Sequence, residues 1–237
     1  FGYTKVNSKQ KTKLVQNVFS RVAPSYDIMN DLMSLGMHRL WKRRFVEIMD
    51  IKENEIVLDV GSGSGDIANE ILKENLPINL YLLDLNAEML LEGKKRLRKQ
   101  KDIKYFIGNA EKLNFESNYF DKYAISFCLR NVTEYLLSLK EAYRVLKPGG
   151  KFCCLEFSTP KSSLILNSYK IYKSRILPLL GEIVAKDKNA YKYLSESIDL
   201  FPSQEELSKN LRDCGFTKVE TVNLFNGIVA IHTGYKL

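Results

Sequence analysis

A glycine-rich turn between a short apolar run and a helical pattern places the strongest constraint on how this chain can fold. Residues 56–60, Ile-Val-Leu-Asp-Val, are mostly apolar and β-branched, which predicts a buried parallel strand. Gly61, Gly63 and Gly65 follow, and residues 67–72 have the spacing of a helix. Glycine permits a sharp turn and a close approach of ligand atoms because it has no Cβ. A strand, a tight turn and a helix N-terminus together predict free backbone N–H groups at the mouth of a cleft.

The spacing of the glycines and a nearby acid indicate which ligand this cleft takes. The order is G-x-G-x-G rather than the dinucleotide pattern G-x-G-x-x-G, and Asp59 lies two residues before Gly61. A carboxylate there repels a pyrophosphate, whereas it attracts a ligand that carries an amine. Asp84 closes a second apolar run at 80–83, where its carboxylate can accept hydrogen bonds from ribose hydroxyls. The pattern therefore favours S-adenosylmethionine over NAD, with a purely structural glycine turn as the alternative.

Strand and helix patterns alternate along the chain. The final two strands are expected to pair antiparallel at the sheet edge. This alternation predicts an α/β fold with a doubly wound, mostly parallel, seven-stranded sheet. The predicted strands are 56–60, 79–84, 103–107, 122–127, 151–157, 218–223 and 227–235, and the main predicted helices are 7–20, 67–72, 86–99, 136–146 and 204–214.

Ligands of such sheets bind beyond the carboxyl ends of the strands. Several polar residues lie near those predicted ends and are candidates for the site. Asn109 is a candidate for an adenine contact, with an ordinary turn asparagine as the alternative. The candidates are Asp59, Asp84, Asn109, Ser126, Arg130 and Glu156.

The length of 237 residues fits one domain with additions. We expect an N-terminal helical cap at 1–50 and a ligand-binding domain at 51–237 that contains a helical insertion at 160–200. The insertion is apolar and rich in tyrosine. It can line an apolar channel, contact a membrane interface, or simply pack on the sheet.

The net charge of +8 is compatible with nucleic acid, an anionic membrane surface or a lysine-rich exterior. We interpret the basic run 94–99 as a solvated helix face. The four cysteines contain no C-x-x-C pair and indicate reduced thiols, and two distant histidines argue against a metal site. No apolar run is long enough to span a bilayer, and no signal peptide is visible.

Two spaced signatures resemble those of the ubiquinone/menaquinone biosynthesis C-methyltransferase family. The first is Tyr26-Asp27-Ile28-Met29-Asn30 with Ser34, His38 and Trp41. The second runs from Arg144 to Gly150 and ends in Leu155-Glu156-Phe157-Ser158. Residues 129–132, Leu-Arg-Asn-Val, are similar to the substrate-side loop of the family, and the resemblance extends over nearly the whole chain. It implies the class I methyltransferase fold and S-adenosylmethionine as cofactor.

The resemblance also implies roles for individual residues. Cofactor contacts would come from Ser64, Asp84, the Asn109–Ala110 pair and Ser126, in addition to Asp59, Gly61 and Gly63 from the glycine turn. Many family members have threonine where this chain has Ser64, but serine keeps the hydroxyl. Catalytic candidates are Arg130, Asn131, Tyr26 and His38, with Asp27 beside them. Arg130 stays protonated, so we expect it to polarise a water that removes a ring proton. For Tyr26 and His38, gating or substrate packing is the alternative.

The family methylates a ring carbon of polyprenylated benzoquinols and demethylmenaquinols. Residues 35–41 resemble members from ubiquinone-making organisms, which favours 2-methoxy-6-polyprenyl-1,4-benzoquinol without excluding demethylmenaquinol. We expect a cytoplasmic enzyme, or a mitochondrial matrix enzyme in a eukaryote, and no nucleic-acid partner. Contact with other quinone-synthesis proteins, peripheral contact with the inner membrane and a homodimer stay open. The alternatives are a non-catalytic cofactor-binding subunit and a nucleic-acid methyltransferase.

Overall fold

A computed structural model describes residues 1–23, 28, 30–31, 34–100, 102–160, 172 and 188–237. Seven strands in this part of the chain form one sheet in the order β3-β2-β1-β4-β5-β7-β6. Strands β1 to β5 run parallel, and β7 lies antiparallel between β5 and β6. The strands are β1 Ile56–Val60, β2 Asn79–Asp84, β3 Ile103–Ile107, β4 Phe120–Ser126, β5 Leu146–Phe157, β6 Thr217–Leu224 and β7 Val229–Tyr235.

Helices cover both faces of the sheet and bury one hydrophobic cluster on each. Trp41 and Phe45, together with the helices that follow β1 and β2, pack on one face. Leu139 and Leu207 are buried residues of the two helices that pack on the other face. The helices are α1 Ser8–Val22, α2 Met37–Met49, α3 Asp66–Leu72, α4 Ala87–Arg96, α5 Tyr135–Val145, α6 Lys188–Asp199 and α7 Gln204–Asp213.

The two faces explain the paired cysteines of β5. Cys153 belongs to the cluster under α2, and Cys154 belongs to the cluster under α5. Successive side chains of a strand point to opposite faces, as the sequence predicts. All four cysteines are free thiols in the structure.

The doubly wound fold expected from the sequence is confirmed, and the bounds of β1, β2 and β3 agree with their predictions. Two bounds differ. The helix predicted at 86–99 ends at Arg96. Strand β5 begins at Leu146 rather than at residue 151, because Leu146 already pairs with Phe120 before an irregular step in the register. Helix α5 therefore ends at Val145, and the strand begins at the next residue.

The carboxyl ends of β1, β2, β4 and β5 meet at one edge of the sheet. Strand β1 has β2 on one side and β4 on the other, so the connections from β1 and β4 leave in opposite directions there. This arrangement opens a crevice at the carboxyl ends of the strands. Helix α1 crosses this edge, and its Gln16 side chain donates a hydrogen bond to the Leu85 carbonyl at 3.3 Å.

Most of the predicted insertion at 160–200 lies outside the described residues, which resume at residue 188 with α6. Tyr191 and Tyr193 of α6 pack with Val18 and Val22 of α1 in a third, smaller cluster. Among the residues that the structure describes, no helix combines the length and the apolar character that a bilayer crossing needs.

Candidate active site

The glycine turn after β1 is folded tightly onto the end of β2. Gly61 and Gly63 have φ angles of 65° and 53°, a region that side chains other than glycine rarely adopt. The Gly61 N–H donates to the Leu83 carbonyl at 2.7 Å, and the Gly63 N–H donates to Asp84 Oδ2 at 2.8 Å. The expectation of free N–H groups is therefore wrong for these two glycines. Their backbone donors fix Asp84 instead of facing a ligand.

A first cavity opens above this turn at the carboxyl edge of the sheet. Helix α1 closes its other side with Thr12, Val15, Gln16 and Phe19. The sequence-predicted residues that line this cavity are Gly61, Gly63, Asp84, Asn109, Ala110, Ser126 and Asn131.

Asp84 is oriented by backbone donors on both sides. Its Oδ1 accepts from the Asn86 N–H and its Oδ2 from the Gly63 N–H, each at 2.8 Å. Burial raises the pKa of the Asp84 carboxyl, and these N–H groups oppose the rise. A carboxylate oxygen accepts more than one hydrogen bond, so Asp84 retains acceptor capacity for a pair of hydroxyls.

Asn109 forms a turn and also lines the first cavity. Its Oδ1 accepts from the Glu111 N–H at 2.9 Å, which makes it a turn asparagine. The amide nitrogen is not used by that bond and suits an acceptor on a base edge. The two interpretations from the sequence are therefore compatible.

Asp59 and Ser64 occupy different places from the rest of the predicted set. Neither is among the residues that line the first cavity. Asp59 is buried, and both carboxylate oxygens lack a hydrogen-bond partner among the described residues. Burial, reinforced by the charges of Asp84 and Asp66, raises the pKa of Asp59 to about 8. The Ser64 hydroxyl lies 3.5 Å from Arg96 Nη1.

Arg96 also corrects the interpretation of the basic run at 94–99. The side chains of Arg96 and Lys42 both form ion pairs with Asp66, the first residue of α3. Arg96 therefore links α4 to the glycine turn instead of lying on a fully solvated helix face.

A second cavity adjoins the first and shares Phe19, Phe127 and Asn131 with it. Aromatic and aliphatic side chains from α1, α6 and the ends of β4 and β5 form most of its wall. Its polar lining residues include Asn30, Ser34, His38, Lys42, Arg130 and Asn131.

Arg130 is held by a buried ion pair. Its Nη1 donates to both oxygens of Glu156, at 2.8 Å and 3.0 Å, and to the Phe127 carbonyl at 2.6 Å. The guanidinium carbon lies 5.2 Å from the centre of the Phe157 ring. Burial raises the pKa of the Glu156 carboxyl, and the Arg130 charge opposes the rise. The Arg130 side chain is thereby fixed in the wall of the second cavity.

Asn131 is held from the opposite side by α6. The Tyr193 hydroxyl donates to Asn131 Oδ1 at 3.0 Å, and Asn131 Nδ2 donates to the Phe127 carbonyl at 3.3 Å. Burial raises the pKa of Tyr193 to about 12, so this phenol is a hydrogen-bond donor at neutral pH.

His38 lies in the first turn of α2 and is also buried. Its Nε2 lies 2.9 Å from Asp31 Oδ1, and Arg39 forms two hydrogen bonds to the same carboxylate. Burial lowers the pKa of His38, as does the charge of Lys42, whereas Asp31 opposes the shift. Tyr26 and Asp27, the other catalytic candidates, lie outside the described residues.

Comparison with known proteins identifies the family. The model of the ubiE/COQ5 methyltransferase family matches residues 4–236. The chain belongs to this family. It is 49% identical to the ubiquinone/menaquinone biosynthesis C-methyltransferase UbiE of Rickettsia bellii over 245 residues, with 100% of this chain and 98% of the relative covered. The same enzyme of Rickettsia prowazekii is also 49% identical at the same coverage.

Solved structures of other methyltransferases have the same fold as this chain. A methyltransferase of Thermotoga maritima, described as a possible histamine N-methyltransferase, has a TM-score of 0.67 at 20% identity and covers 94% of this chain and 100% of its own. Phosphoethanolamine N-methyltransferase 2 of Haemonchus contortus, solved with S-adenosyl-L-methionine, has a TM-score of 0.61 at 17% identity and covers 82% of this chain and 52% of its own. The expected class of enzyme, an S-adenosylmethionine-dependent methyltransferase of the ubiquinone/menaquinone biosynthesis family, is confirmed.

The first cavity of this family member fits its cofactor. A Cβ at Gly61 would lie 2.6 Å from Cys128 Cβ, so the turn has no room for a side chain at the floor of the cavity. Asp84 offers a carboxylate and Asn109 an amide to this cavity. A carboxylate suits a ribose diol and an amide suits a base edge, which are the two ends of an adenosine.

The sequence did not predict several residues that line the two cavities. Thr12 and Gln16 of α1 line the first cavity, and Tyr191 and Tyr193 of α6 line the second. The sequence predicts a helix at 7–20, but a predicted helix does not reveal which part of the sheet it will cover. Asp31 could have been considered, since it is an acidic residue only seven positions before His38 in the sequence.

Proposed function

We propose that this chain transfers the methyl group of S-adenosylmethionine to a ring carbon of a polyprenylated quinol. The proposed substrates are 2-methoxy-6-polyprenyl-1,4-benzoquinol and demethylmenaquinol. The observation that carries the proposal is the second cavity, which is lined largely by aromatic and aliphatic side chains and shares Phe19, Phe127 and Asn131 with the first. The name of the Rickettsia relatives, which covers both quinone pathways, supports the choice of substrates.

We assign the cofactor to the first cavity. Asp84 would accept the ribose hydroxyls, Asn109 and Ala110 would meet the adenine, and Gly61, Gly63 and Ser126 would lie along the rest of the ligand. When bound, the cofactor supplies an electrophilic methyl group on a sulfonium. The chain then has to bring a carbon nucleophile close to this methyl and exclude water.

We propose that residues of the second cavity control the proton transfers at the substrate ring. Arg130 remains protonated, so its role is to orient and polarise rather than to act as a base. The Glu156 carboxylate and the Phe127 carbonyl hold the guanidinium in one position. A water polarised there would accept the proton that leaves the methylated ring carbon. Asn131, fixed by Tyr193, would position the ring between the two cavities.

We further propose that residues 1–50 act as a cap on a methyltransferase domain at 51–237. Helix α1 lines the first cavity and packs on α6, which supports a covering role. A polyprenyl tail is insoluble in water, so we propose peripheral contact with the membrane that holds the substrate. Flotation with anionic liposomes at low and high salt tests that contact, since electrostatic binding weakens with salt.

The activity is tested with short-chain analogues of both quinols, the labelled cofactor and a reductant. We expect methylated product from at least one analogue under reducing conditions and none from the oxidised quinone, since the quinone ring is poor in electrons. Formation of no product from either quinol would contradict the proposal. If the chain bound S-adenosylhomocysteine but methylated neither analogue, a non-catalytic cofactor-binding subunit would be indicated instead.

Arg130→Lys tests the assigned role of the buried arginine. Lysine keeps the charge, but its ammonium does not replace the planar guanidinium that Glu156 and the Phe127 carbonyl hold against the Phe157 ring. We expect kcat to fall by roughly 10²-fold, because a misplaced catalytic group has a cost of this order. Arg43→Lys is the matched control, since Arg43 is an exposed residue that pairs with Glu47 at 3.5 Å, and kcat should not change. Equal kcat values for the two variants would contradict the role of Arg130.

A further inference from the structure

The arrangement of Asp31, His38 and Arg39 is that of an oriented imidazole base. His38 Nε2 lies 2.9 Å from Asp31 Oδ1. Arg39 Nε and Nη2 donate to the two oxygens of Asp31 at 2.9 Å and 2.7 Å. The His38 N–H also donates to the Ser34 hydroxyl at 3.1 Å, which fixes the start of the helix that carries the ring.

The charge state of Asp31 determines which ring nitrogen carries the proton. Hydrogen bonds from Arg39 and His38 hold the pKa of Asp31 well below its usual range, so the group is an ionised carboxylate. An ionised carboxylate only accepts hydrogen bonds. The neutral imidazole must therefore carry its proton on Nε2, and Nδ1 is left with a lone pair.

His38 Nδ1 is the acceptor that the site leaves unused. The imidazole is 7% exposed and lines the second cavity, and Nδ1 has no hydrogen-bond partner among the described residues. A buried acceptor without a partner is costly unless a ligand supplies a donor. We propose that His38 Nδ1 accepts the hydroxyl proton of the quinol, and that Asp31 is the positioning residue that sets its tautomer; this inference rests on the function proposed above.

Other polar groups of the second cavity are poorly suited to this task. Arg130 stays protonated, and Lys42 is committed to an ion pair with Asp66. The Tyr193 hydroxyl is a donor to Asn131. The charged groups that act on His38 are Asp31, Lys42 and Asp66, from α2, α3 and the segment before them.

The proton balance of the step is complete. The quinol oxygen loses its proton to His38 Nδ1, and the resulting quinolate donates electron density to the ring. The ring carbon forms the new carbon–carbon bond, and the carbon–sulfur bond breaks with its electron pair remaining on sulfur. The ring carbon then loses its proton to water, and the imidazolium returns its proton to the oxygen. One proton is released to solvent for each methyl group transferred.

The tautomer is tested directly by ¹⁵N NMR of the full chain without ligand. The chain has two histidines, so His38→Gln and His232→Gln assign both sets of ring signals. We expect His38 to be neutral at pH 7 with its proton on Nε2. A proton on Nδ1, or a charged ring at pH 7, would overturn the proposal whether or not any variant folds poorly.

The chemical role is tested by rate against pH. Glutamine at position 38 can still form hydrogen bonds but cannot take a proton. We expect His38→Gln to lower kcat by roughly 10²-fold or more with little change in KM. In the wild type, kcat should fall as the pH drops through a midpoint below 6.5, because protonated His38 is no longer a base. This acid limb should be lost in His38→Gln.

Asp31→Asn and His232→Gln complete the test. Without the Asp31 charge, the pKa of His38 should fall further, so the acid limb should move to lower pH and kcat should decrease. His232 is also buried, with Nε2 3.3 Å from the Gln204 carbonyl, but it does not line the second cavity. His232→Gln should keep both kcat and the acid limb.

Calorimetry of S-adenosylhomocysteine separates folding defects from chemical defects, and each variant should bind this ligand like the wild type. A wild-type kcat and acid limb in His38→Gln would overturn the inference and leave the proposed function intact. A wild-type chain that methylates no quinol would overturn the proposed function, and this inference with it.

Discussion

Gly61 sits where backbone conformation and space exclude a side chain at the same time. Its φ is 65°, and an added Cβ would lie 2.6 Å from Cys128 Cβ. Cys128 lines the first cavity with Gly61, so the two residues fix the floor on which the cofactor would rest. A left-handed conformation alone costs an ordinary residue about 1–2 kcal/mol.

Gly61→Ala should separate these two effects when it is compared with Gly149→Ala. Gly149 has a φ of 82°, and an added Cβ there meets nothing within 4 Å. Both variants should lose about 1–2 kcal/mol of unfolding free energy from strain. Gly61→Ala should lose about 1–3 kcal/mol more from overpacking and should bind S-adenosylhomocysteine more weakly. Urea unfolding and calorimetry measure both quantities. Equal behaviour of the two variants would show that the close approach to Cys128 does not matter.

The burial of the ion pair between Glu156 and Arg130 determines how much stability is lost when Glu156 is replaced. The side chains of Glu156 and Arg130 are 2% and 5% exposed, so removal of one charge leaves the other buried without compensation. We expect Glu156→Gln to cost about 3–5 kcal/mol of unfolding free energy. Glu47→Gln removes a carboxylate that pairs with Arg44 at 2.9 Å but is 43% exposed, and it should cost less than about 1 kcal/mol. Urea titrations with similar midpoints for both variants would argue against a buried ion pair.

At the scale of elements, α1 is held to the carboxyl edge of the sheet largely by polar side chains. Lys11 Nζ donates to the Val132 carbonyl at 2.9 Å, and the Thr12 and Thr133 hydroxyls are 2.9 Å apart. Asn86 Nδ2 donates to the Ser20 hydroxyl at 2.8 Å. The buried apolar residues of α1, Val18 and Val22, pack with tyrosines of α6 rather than with the sheet. Such an attachment favours local opening over a rigid cover.

Hydrogen exchange should therefore report cofactor binding at α1. Ligand that binds only the closed form stabilises it by mass action. We expect amide exchange over residues 8–22 to slow markedly when S-adenosylhomocysteine is added. Helix α7 packs on a face of the sheet and serves as the reference helix. Its amide exchange, over residues 204–213, should not change when the ligand is added. Unaltered exchange in α1 at saturating ligand would mean that this helix does not close the cavity.

The sequence predicts the elements of the sheet far better than it predicts the second cavity. The runs at 56–60 and 79–84 mark β1 and β2 to the residue, because buried parallel strands have an apolar pattern that is local in sequence. The hydrogen bond between Tyr193 and Asn131 joins residues 62 positions apart, and nothing local encodes it. Arg130 and Glu156 are both candidates because they lie near predicted strand ends, whereas the ion pair between them depends on the register of β4 and β5.

At the scale of the whole molecule, buried ionisable groups at the site should shape the pH dependence of stability. Burial raises the pKa of Asp59 to about 8, from 3.8. A raised carboxyl pKa means that the folded state binds a proton that the unfolded state has lost. Stability from such a group is complete near pH 4 and declines as the pH rises towards 8. Burial lowers the pKa of His232 to about 4, so this group instead removes stability as the pH falls below 6.5.

Asp59→Asn should therefore flatten the decline of stability between pH 6 and 8 in the ligand-free protein. Each pH unit of pKa shift corresponds to about 1.4 kcal/mol, so the variant should be more stable than the wild type at pH 8. If the ionised carboxylate attracts the cofactor amine, as the sequence suggests, the same variant should bind S-adenosylhomocysteine more weakly at pH 8. Asp50→Asn, at a side chain that is 63% exposed, is the control and should change stability by less than about 0.5 kcal/mol. Thermal unfolding and calorimetry across this pH range make the comparison. An Asp59→Asn variant whose stability declined from pH 6 to 8 as steeply as that of the wild type would show that Asp59 folds in its ionised form.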